Sequence, residues 1–289
     1  MANLNMFTVG ADPEIFVKQK GKAVSAHGLV EGDKKNPLKT SKGAVQVDGM
    51  ALEFNIDPVS AGDFESFNKN IVQTVKDLRT LVGSDYNFNP SPVQEFDADY
   101  LEAQPEEAKE LGCDPDFNAY TLEENPMPDG TRNFRTGAGH IHIGWGSDIP
   151  VDNQDHFEIC ANFIKFMDAT VGMAMTVIDQ DPRRRELYGK AGAFRPKSYG
   201  VEYRTPSNVW ITSKDKRKMI FFFVQQGILA AGSGYTTQEY YRRYFTDVEN
   251  IDEKVQNIIN SGDAQGAYDF LFKTAYLPPE FSRLLKESL

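Results

Sequence analysis

Two short segments alternate polar and apolar residues in a pattern that suits chemistry on one face of a β-sheet. Residues 139–144 read GHIHIG, and residues 201–204 read VEYR. Because successive side chains of a strand point to opposite faces, the two histidines share one face, as do the glutamate and the arginine. A face that carries imidazoles, a carboxylate and a guanidinium could hold a metal ion and a phosphate together. This pattern indicates an enzyme that uses a nucleotide.

Acidic residues form a second group of candidates. Asp12 and Glu14 alternate in the opening strand-like run, Asp48 lies at a turn, and Glu53 and Asn55 alternate in the following run. Hard divalent cations such as Mg²⁺ take oxygen ligands, so carboxylates on neighbouring strands can share ions that also hold the phosphates of a nucleotide. Asp12 and Asp48 are equally compatible with a solvated surface. The apolar neighbours of Glu53 place it on a face that meets solvent or lines a cleft.

The third group of candidates is basic. Arg183, Arg184 and Arg185 follow one another, and Arg195 and Arg204 stand among apolar and turn residues. An unpaired charge in apolar surroundings is costly, so we expect Arg195 and Arg204 to bind an anionic substrate or a transferring phosphoryl group. One or two of the three consecutive arginines fit an exposed surface instead.

Several other active-site motifs are missing from the sequence. It has no G-x-x-x-x-G-K-[ST] loop, no G-x-G-x-x-G segment that opens a helix after a strand, and no G-x-S-x-G elbow. An iron site of two histidines and one carboxylate is conceivable for His140 and His142, but it would leave the arginines without a function. If ATP binds, we expect it to bind on the sheet.

Composition limits the class of protein. The chain has 289 residues, a net charge of −11 and a pI near 4.9, which argues against broad binding to nucleic acid or to anionic membranes. No segment approaches the ~20 apolar residues of a membrane span, and the start lacks the pattern of a signal peptide. The two cysteines, Cys113 and Cys160, do not make a disulfide framework. We therefore expect a cytoplasmic protein, in the cytoplasm of the host if a phage encodes it.

Periodicity predicts the elements that must position these groups. The strand-like run 7–17 contains Pro13, which cannot donate to a ladder and so predicts an edge strand or a bulge. Asp48 and Gly49 predict a hairpin between runs 44–48 and 51–56. Apolar residues at spacings of three and four predict long helices. The predicted helices cover residues 61–82, 153–177 and 213–231, with smaller ones at 106–111, 255–260, 266–272 and 281–288.

These elements predict an α+β fold with one helix-backed, mainly antiparallel sheet. We expect a single catalytic domain over residues 1–289, with its core in about 7–230. Residues 83–135 are rich in Pro, Asp, Asn and Glu, and we interpret them as a loop-rich lid, because loops of that length are usually functional. Residues 231–289 are expected to form a helical C-terminal extension.

The ordered set of motifs resembles a known family. Residues 137–142 (GAGHIH), Arg195 and residues 200–206 (GVEYRTP) resemble the catalytic half of glutamine synthetase-like carboxylate-amine ligases, including glutamate-cysteine ligases. Residues 10–14 (GADPE) and the block 47–55 are similar to the compact, phage-associated ligases of that superfamily. The resemblance covers most of residues 7–230, and the ordered set is much more specific than any single motif.

The resemblance implies a curved antiparallel sheet whose concave face holds ATP and two or three Mg²⁺ or Mn²⁺ ions. In such ligases ATP phosphorylates a carboxylate, and an amine then attacks the acyl phosphate to give an amide or isopeptide bond. The two substrates could be small molecules, peptides or protein side chains. We expect the metal ligands to be Asp12, Glu14, Glu53, His140 and Glu202, the nucleotide contacts His140, His142, Arg185 and Arg204, the catalytic residues Glu53, Arg195 and Arg204, and the substrate contacts Asp48, Asn55 and Arg195.

Other functions stay open on the sequence alone. A phosphotransferase on the same sheet would end at a phosphorylated product, and a catalytically silent, virion-associated or binding protein would retain only the fold. A silent relative has no chemical reason to keep every charge of the predicted site, which argues against that alternative. A metal-dependent oxygenase would use iron and would not respond to ATP.

Overall fold

The alternating runs of the sequence form one large sheet. The computed structural model describes residues 3–109, 115–128, 130–146, 148–275 and 277–289. Within them lie an 11-stranded sheet and a separate two-stranded one, and every described strand pair is antiparallel. The strands are β1 (Thr8–Gln19), β2 (Lys22–Val24), β3 (Leu38–Thr40), β4 (Gly43–Asp48), β5 (Ala51–Ile56), β6 (Val59–Ser60), β7 (Tyr86–Asn89), β8 (Val93–Glu95), β9 (Phe117–Asn118), β10 (Phe134–Thr136), β11 (Gly139–Gly144), β12 (Ala193–Lys197) and β13 (Gly200–Tyr203).

Strand β1 lies in the middle of the sheet. The strand order is β3-β4-β5-β1-β11-β13-β12-β9, and β2, β6 and β7 also pair with β1. The prediction of an edge strand from Pro13 is therefore wrong. The N–H of Glu14 donates to the carbonyl of Ala138 on the β11 side of β1, so the missing N–H of Pro13 falls on the opposite side. On that side, pairing with β6 ends at Val9 and pairing with β5 begins at Glu14. The proline removes no ladder bond there.

The helices follow the predicted apolar periodicity closely. The long helix predicted over 153–177 contains a π-helical turn, Asp168–Gly172, that joins two α-helices. The helices are α1 (Phe64–Val82), α2 (Ala98–Glu102), α3 (Glu106–Lys109), α4 (Gln154–Met167), α5 (Met173–Ile178), α6 (Arg184–Leu187), α7 (Lys214–Ala231), α8 (Thr237–Tyr241), α9 (Ile251–Ser261), α10 (Ala264–Thr274) and α11 (Pro279–Lys286), with 3-10 turns at Leu4–Met6 and Asn208–Thr212.

Helix α1 shows why these elements form where they do. The Asp63 side chain accepts from the N–H of Ser66 and so caps the first turn, and Gly83, at a φ of 86°, ends the helix. Between these caps, Phe67, Ile71 and Leu78 bury one face of α1 against β4 and β5. The predicted helix-backed, mainly antiparallel α+β sheet is confirmed.

The core lies between the sheet and its helices. Ile141, Ile143, Val201 and Tyr203 are fully buried on the helix side of β11 and β13, which leaves the polar residues of both strands on the other face. The predicted hairpin is also present, since β4 and β5 pair from Gly43↔Ile56 to Asp48↔Ala51 and Gly49 adopts a φ of 56° at the turn.

The predicted loop-rich segment 83–135 contains more regular structure than its composition indicates. Strand β7 pairs with the end of β1, β8 pairs with β10, and β9 pairs with β12. Composition could not predict these strands, because each is short and depends on a partner distant in sequence. The predicted helix 106–111 corresponds to α3, while its last two positions and Cys113 lie outside the described residues.

The last sixty residues belong to the same core as the rest of the chain. Ile251, Ile259, Phe270 and Leu271 are almost completely buried, and helices α9 and α10 pack against α5. In the part of the chain that the structure describes, no helix has the length and apolar character needed to cross a membrane.

Candidate active site

The strand register brings the polar residues of four strands onto one face of the sheet. Asp12 of β1 stands opposite His140 of β11, and His142 stands opposite Glu202 of β13. On the other side of β1, Glu14 stands opposite Glu53 of β5. Because residues two apart on a strand share a face, these side chains form one continuous polar surface.

This surface forms the floor of a cavity of about 270 Å³. Eight of the predicted site residues line it, and His142, Asn55 and Arg185 do not. The lining residues are Asp12, Glu14, Phe16, Lys34, Gln46, Asp48, Gly49, Met50, Ala51, Glu53, Arg135, Thr136, Ala138, His140, Arg184, Tyr188, Arg195, Lys197, Glu202 and Arg204.

One set of potential metal ligands, which we call the histidine cluster, consists of Asp12, His140 and Glu202. Their ligand atoms all lie within 4.8 Å of one another. His140 Nδ1 is 3.5 Å from Asp12 Oδ1 and 3.4 Å from Glu202 Oε1. Asp12 Oδ1 is buried without a hydrogen-bond partner among the described residues, so it has a free position for a cation.

A second set, the carboxylate cluster, consists of Glu14, Asp48 and Glu53, again with ligand atoms within 4.8 Å of one another. Desolvation in the cavity wall and the charge of Asp48 raise the pKa of Glu14 to about 7. Desolvation and the charges of the neighbouring acids raise the pKa of Glu53 well above its ordinary value. Neighbouring carboxylates disfavour ionisation of Glu14 and Glu53, and a cation that joins them would favour their charged forms. The donor set therefore fits a hard divalent ion such as Mg²⁺ or Mn²⁺.

Neighbouring groups hold all three of these carboxylates in position. The backbone N–H of Ala138 donates to Glu14 Oε2 at 2.8 Å, and Gln46 Nε2 donates to Glu53 Oε1 at 3.0 Å. Lys34 Nζ lies 2.9 Å from Asp48 Oδ1. These contacts fix the orientation of the acids before any ion binds.

Three cationic side chains surround Glu202, and we call them the Glu202 cations: Arg195, Lys197 and Arg204. Arg195 Nη1 lies 3.3 Å and Lys197 Nζ 2.9 Å from Glu202 Oε2, while Arg204 Nη1 donates to Oε1. Burial opposes the ionisation of Glu202, but Arg204 and the two histidines outweigh it and hold the pKa of Glu202 well below its usual range. The result is an ionised carboxylate beside several donors for phosphate oxygens.

The predicted residues outside the cavity have other partners. His142 Nε2 lies 2.9 Å from Asp12 Oδ2, and its Nδ1 is hydrogen-bonded to the Tyr199 hydroxyl, so His142 orients Asp12 from the side. Burial opposes the ionisation of Asp12, but His142 and His140 lower the pKa of Asp12 below its ordinary value. Asn55 pairs with Ala44 in the outer part of the sheet. Arg185 donates to the main-chain carbonyls of Asp179 and Asp181.

Sequence reasoning missed several lining residues. Lys197 stands two positions after Arg195 in β12, so alternation alone could have placed it on the same face. Arg184 was one of three consecutive arginines, and only the turn of α6 decides which of them reaches the cavity. Arg135 and Tyr188 had no local signal, because their segments reach the cavity through tertiary contacts.

Comparisons with known proteins agree with part of this picture. Residues 128–243, less than half of the chain, match the family model described as "Phage phiEco32-like COOH.NH2 ligase-type 2". The matched segment includes His140, Glu202 and the Glu202 cations. It confirms the resemblance to the phage-associated carboxylate-amine ligases over that segment. No curated protein matches the sequence.

Two solved structures align over most of the chain. "GmaS/ADP complex-Conformation 1" is 12% identical over 98% of this chain and 69% of that chain, with a TM-score of 0.43. "Apo GmaS without ligand" is 12% identical over 98% of this chain and 68% of that chain, with a TM-score of 0.39. At these scores the likeness does not establish a common fold.

Proposed function

We propose that this protein is an ATP-dependent ligase that joins a carboxylate to an amine through an acyl phosphate. The observation that carries the proposal is the meeting, in one cavity, of two clusters of metal-ligating side chains with the three Glu202 cations. The match of residues 128–243 to a ligase-type family supports it.

The two clusters would hold the divalent ions of such a reaction. The histidine cluster offers two carboxylates and an imidazole, and the carboxylate cluster offers oxygen atoms alone. When bound, the ions would neutralise and orient the phosphate oxygens of ATP. Ionised Glu202 keeps the histidine cluster ready for a cation, whereas Glu14 and Glu53 must lose protons when a cation binds.

The Glu202 cations would act on the transferring phosphoryl group. An oxygen of the acid substrate attacks the γ-phosphorus of ATP, the bond from that phosphorus to the β–γ bridging oxygen breaks, and ADP leaves. Preorganised hydrogen-bond donors then stabilise the negative charge on the equatorial oxygens of the transferring phosphoryl group. Arg195, Lys197 and Arg204 supply such donors, and their pairing with Glu202 holds them in place without any movement of the sheet.

Amide formation completes the proposed cycle. A neutral amine attacks the carbonyl carbon of the acyl phosphate, the bond from that carbon to the phosphate oxygen breaks, and phosphate leaves with the proton that the nitrogen releases. Water must be kept away from the acyl phosphate in the meantime. We assign this task to the segment 83–135, because Pro115 accepts a hydrogen bond from Arg195 Nε at 3.2 Å and Asp116 Oδ2 accepts one from Arg204 Nε at 3.0 Å.

The first test is ATP binding measured by titration calorimetry with and without Mg²⁺. We expect binding that depends on the metal, and we expect Glu53→Gln to weaken it by at least roughly tenfold, because the variant removes one charged ligand of the carboxylate cluster. The matched control is Glu65→Gln, since Glu65 is an exposed glutamate on α1 that pairs with Lys214. Wild-type affinity in Glu53→Gln, or no ATP binding with any divalent metal, would contradict the proposal.

Phosphate release separates a ligase from a phosphotransferase on the same site. With ATP, Mg²⁺ and a pool of carboxylic acids, a ligase releases phosphate faster when amines or hydroxylamine are added, and hydroxylamine traps the activated acid as a hydroxamate. Phosphorylated acid that accumulates and does not respond to any amine would point to phosphotransfer alone.

A further inference from the structure

A buried carboxylate that the proposed mechanism does not use lies on the helix side of the sheet. Asp168, in the π-helical turn, is 0% exposed. It accepts hydrogen bonds from the Tyr203 hydroxyl at 2.6 Å, the Gly192 N–H at 2.6 Å and the Tyr120 hydroxyl at 3.0 Å. We call these four residues the Asp168 cluster. An ionised carboxylate can accept from all three donors at once, and the donors offset part of the cost of burying it.

Each donor of the Asp168 cluster is close in sequence to a group of the candidate active site. Tyr203 lies between Glu202 and Arg204 in β13. Gly192 directly precedes β12, which carries two of the Glu202 cations. Tyr120 belongs to the segment to which we assign the exclusion of water. The Asp168 cluster therefore joins, behind the sheet, the elements whose other face carries the chemistry.

Residues 115–120 contact both faces of the sheet. On the cavity face, Asp116 Oδ2 accepts a hydrogen bond from Arg204 Nε at 3.0 Å. On the helix face, the Tyr120 hydroxyl donates to Asp168. Between these two contacts, β9 pairs with β12 as the last strand of the sheet. The segment thus passes around the edge of the sheet and is attached on each side.

Both attachments lead to consecutive residues of β13. Successive side chains of a strand point to opposite faces, so Arg204 faces the cavity and Tyr203 faces the helices. Arg204 contacts Asp116 directly, and Tyr203 is connected to Tyr120 through Asp168. Loss of the contact behind the sheet would therefore loosen the segment at the strand that carries Arg204.

Gly192 allows the segment to come this close. It adopts a φ of +81°, and a Cβ built there would lie 2.8 Å from both Asn118 Oδ1 and Tyr120 Cδ2. Only glycine accepts this conformation readily and leaves room for the two side chains. The Gly192 carbonyl also accepts from the Ala119 N–H at 2.9 Å, so its main chain binds Asp168 on one side and the segment on the other.

We propose that Asp168 is a positioning residue that holds residues 115–120 against β12 and β13 from behind the sheet, so that this segment excludes water and Arg204 keeps its orientation. The catalytic consequence rests on the proposed function, whereas the hydrogen-bonded link can be tested without it. Asp168 lies on the face away from the cavity and so acts only through the residues it binds. An apolar side chain could fill the same volume, but it could not direct three donors.

The first test is hydrogen exchange of the complete, metal-free protein, followed by mass spectrometry. Tyr120→Phe removes the one hydrogen bond between the segment and Asp168 and leaves the bonds from Tyr203 and Gly192. We expect the amides of residues 117–122 to exchange at least roughly fivefold faster in this variant, with the amides of α1 unchanged. The matched control is Tyr268→Phe, since Tyr268 is also buried and its hydroxyl contacts only Ser282 at 3.4 Å.

The second test is the fraction of ATP turnovers that end in hydrolysis. With Mg²⁺, hydroxylamine and a pool of carboxylic acids, this fraction is the phosphate released in excess of the hydroxamate formed. We expect it to rise at least roughly threefold in Tyr120→Phe and further in Asp168→Asn, because a loosened segment admits water to the acyl phosphate. A role in stability alone would lower both products in proportion to the folded protein and leave the fraction unchanged.

A control within the same turn accompanies Asp168→Asn. Thr170→Val removes a buried hydroxyl that donates to the Phe166 carbonyl of its own helix at 2.9 Å, so both the exchange and the hydrolysed fraction should match the wild type. Urea unfolding checks that each variant is folded. If Asp168→Asn does not fold, Tyr120→Phe tests the proposal by itself, since it keeps the carboxylate and two of its donors.

Two results would overturn the inference. One is wild-type exchange of residues 117–122 in folded Tyr120→Phe. The other is an unchanged hydrolysed fraction in that variant when the wild type forms hydroxamate, which removes the positioning role while the ligase stands. If the wild type turns over no ATP with any acid, the proposed function fails, and faster exchange in Tyr120→Phe still supports the link through Asp168.

Discussion

Glu202 and Glu14 are both glutamates of the cavity wall, yet their surroundings move their pKa values in opposite directions. Arg204 and the two histidines keep the first ionised against the effect of desolvation, whereas desolvation and Asp48 raise the pKa of the second to about 7. Glu202 is therefore charged without a bound metal ion, whereas the charge of Glu14 depends on metal binding. A divalent ion would supply positive charge to the carboxylate cluster. In the histidine cluster, Glu202 is ionised before any ion binds.

This difference predicts how metal binding depends on pH. We expect the affinity for Mn²⁺ to rise as the pH increases through about 7, because Glu14 must release a proton before it can act as a ligand. Below that pH the affinity should fall by up to roughly tenfold per pH unit for each proton displaced. Titration calorimetry in buffers of different ionisation enthalpy measures both the affinity and the number of protons released.

The control for this prediction is Glu14→Gln, which should weaken Mn²⁺ binding and flatten its pH dependence. In the metal-free protein the raised folded pKa of Glu14 has the opposite consequence for stability. The folded state favours the protonated form, so the free energy of unfolding should fall as the pH rises from about 4.5 to about 7. An Mn²⁺ affinity that stays constant across pH 5.5 to 8 would refute the assignment of Glu14 as a ligand.

Alternation within a strand was sufficient to predict part of the residue-scale site. It placed His140 with His142, and Glu202 with Arg204, because a period of two is a local property of each strand. The sequence grouped Asp48 with Glu14 and Glu53 as acidic candidates and predicted the β4–β5 hairpin, but it could not predict the register of β1 with β5 that brings the three together. The same limit applies to Arg135, whose local sequence resembles that of an ordinary loop.

At the scale of elements, the strand that carries the histidines is pressed against the 3-10 turn Asn208–Thr212. Trp210 Nε1 donates to the carbonyl of Gly139 at 2.9 Å. A Cβ at Gly139 would lie 2.3 Å from the Ser207 oxygen and 2.6 Å from Trp210 Nε1. This close approach explains why β11 begins with a glycine, and it fixes the position of β11 relative to the 3-10 turn.

We therefore expect Gly139→Ala to destabilise the protein by roughly 1–3 kcal/mol, because the added methyl group must displace backbone and a buried tryptophan. The matched control is Gly10→Ala on β1, where the nearest atom to a new Cβ is 3.6 Å away. Urea unfolding monitored by tryptophan fluorescence measures both variants. If the two alanine variants were equally stable, the close packing at Gly139 would have no energetic effect.

Asp168 connects three elements and had no signal in the sequence. It lies in the π-helical turn between α4 and α5, and its carboxylate accepts hydrogen bonds from Tyr203 at 2.6 Å, Gly192 N–H at 2.6 Å and Tyr120 at 3.0 Å. Burial raises the pKa of Asp168 to about 7 despite these donors. The apolar periodicity of residues 153–177 predicted a buried face without polar residues. The π-helical turn changes the residue spacing, so that Asp168 faces the interior.

At the scale of the whole molecule, the C-terminal helices complete the core rather than extend it. Truncation after Ala231 would expose the surfaces of α5 and the π-helical turn that α9 and α10 now cover. We expect the truncated protein to lose cooperative unfolding, since residues such as Ile259 and Leu271 belong to the single large apolar cluster. Thermal unfolding followed by circular dichroism measures this effect.

The control for the truncation is removal of residues 287–289, which lie beyond α11 and should leave the transition nearly unchanged. A truncated protein that still unfolds in one sharp transition would show that residues 231–289 form a separable extension. Periodicity predicted these helices, but it could not predict their packing partners, because an amphipathic face does not specify which surface it covers.

The central position of β1 also has a consequence for synthesis on the ribosome. Glu14 meets Ala138 across a sequence separation of 124 residues, and β11 must in turn pair with β13. At about 5–20 residues per second, β1 waits on the order of ten seconds for β11 to be synthesised. During this delay the edge of β1 that pairs with β11 is open to other chains, although β2, β5 and β6 lie closer in sequence and can pair with β1 earlier. Asp12 and Glu14 put two carboxylates on β1, and we expect these charges to disfavour pairing of its open edge with another chain before β11 is made.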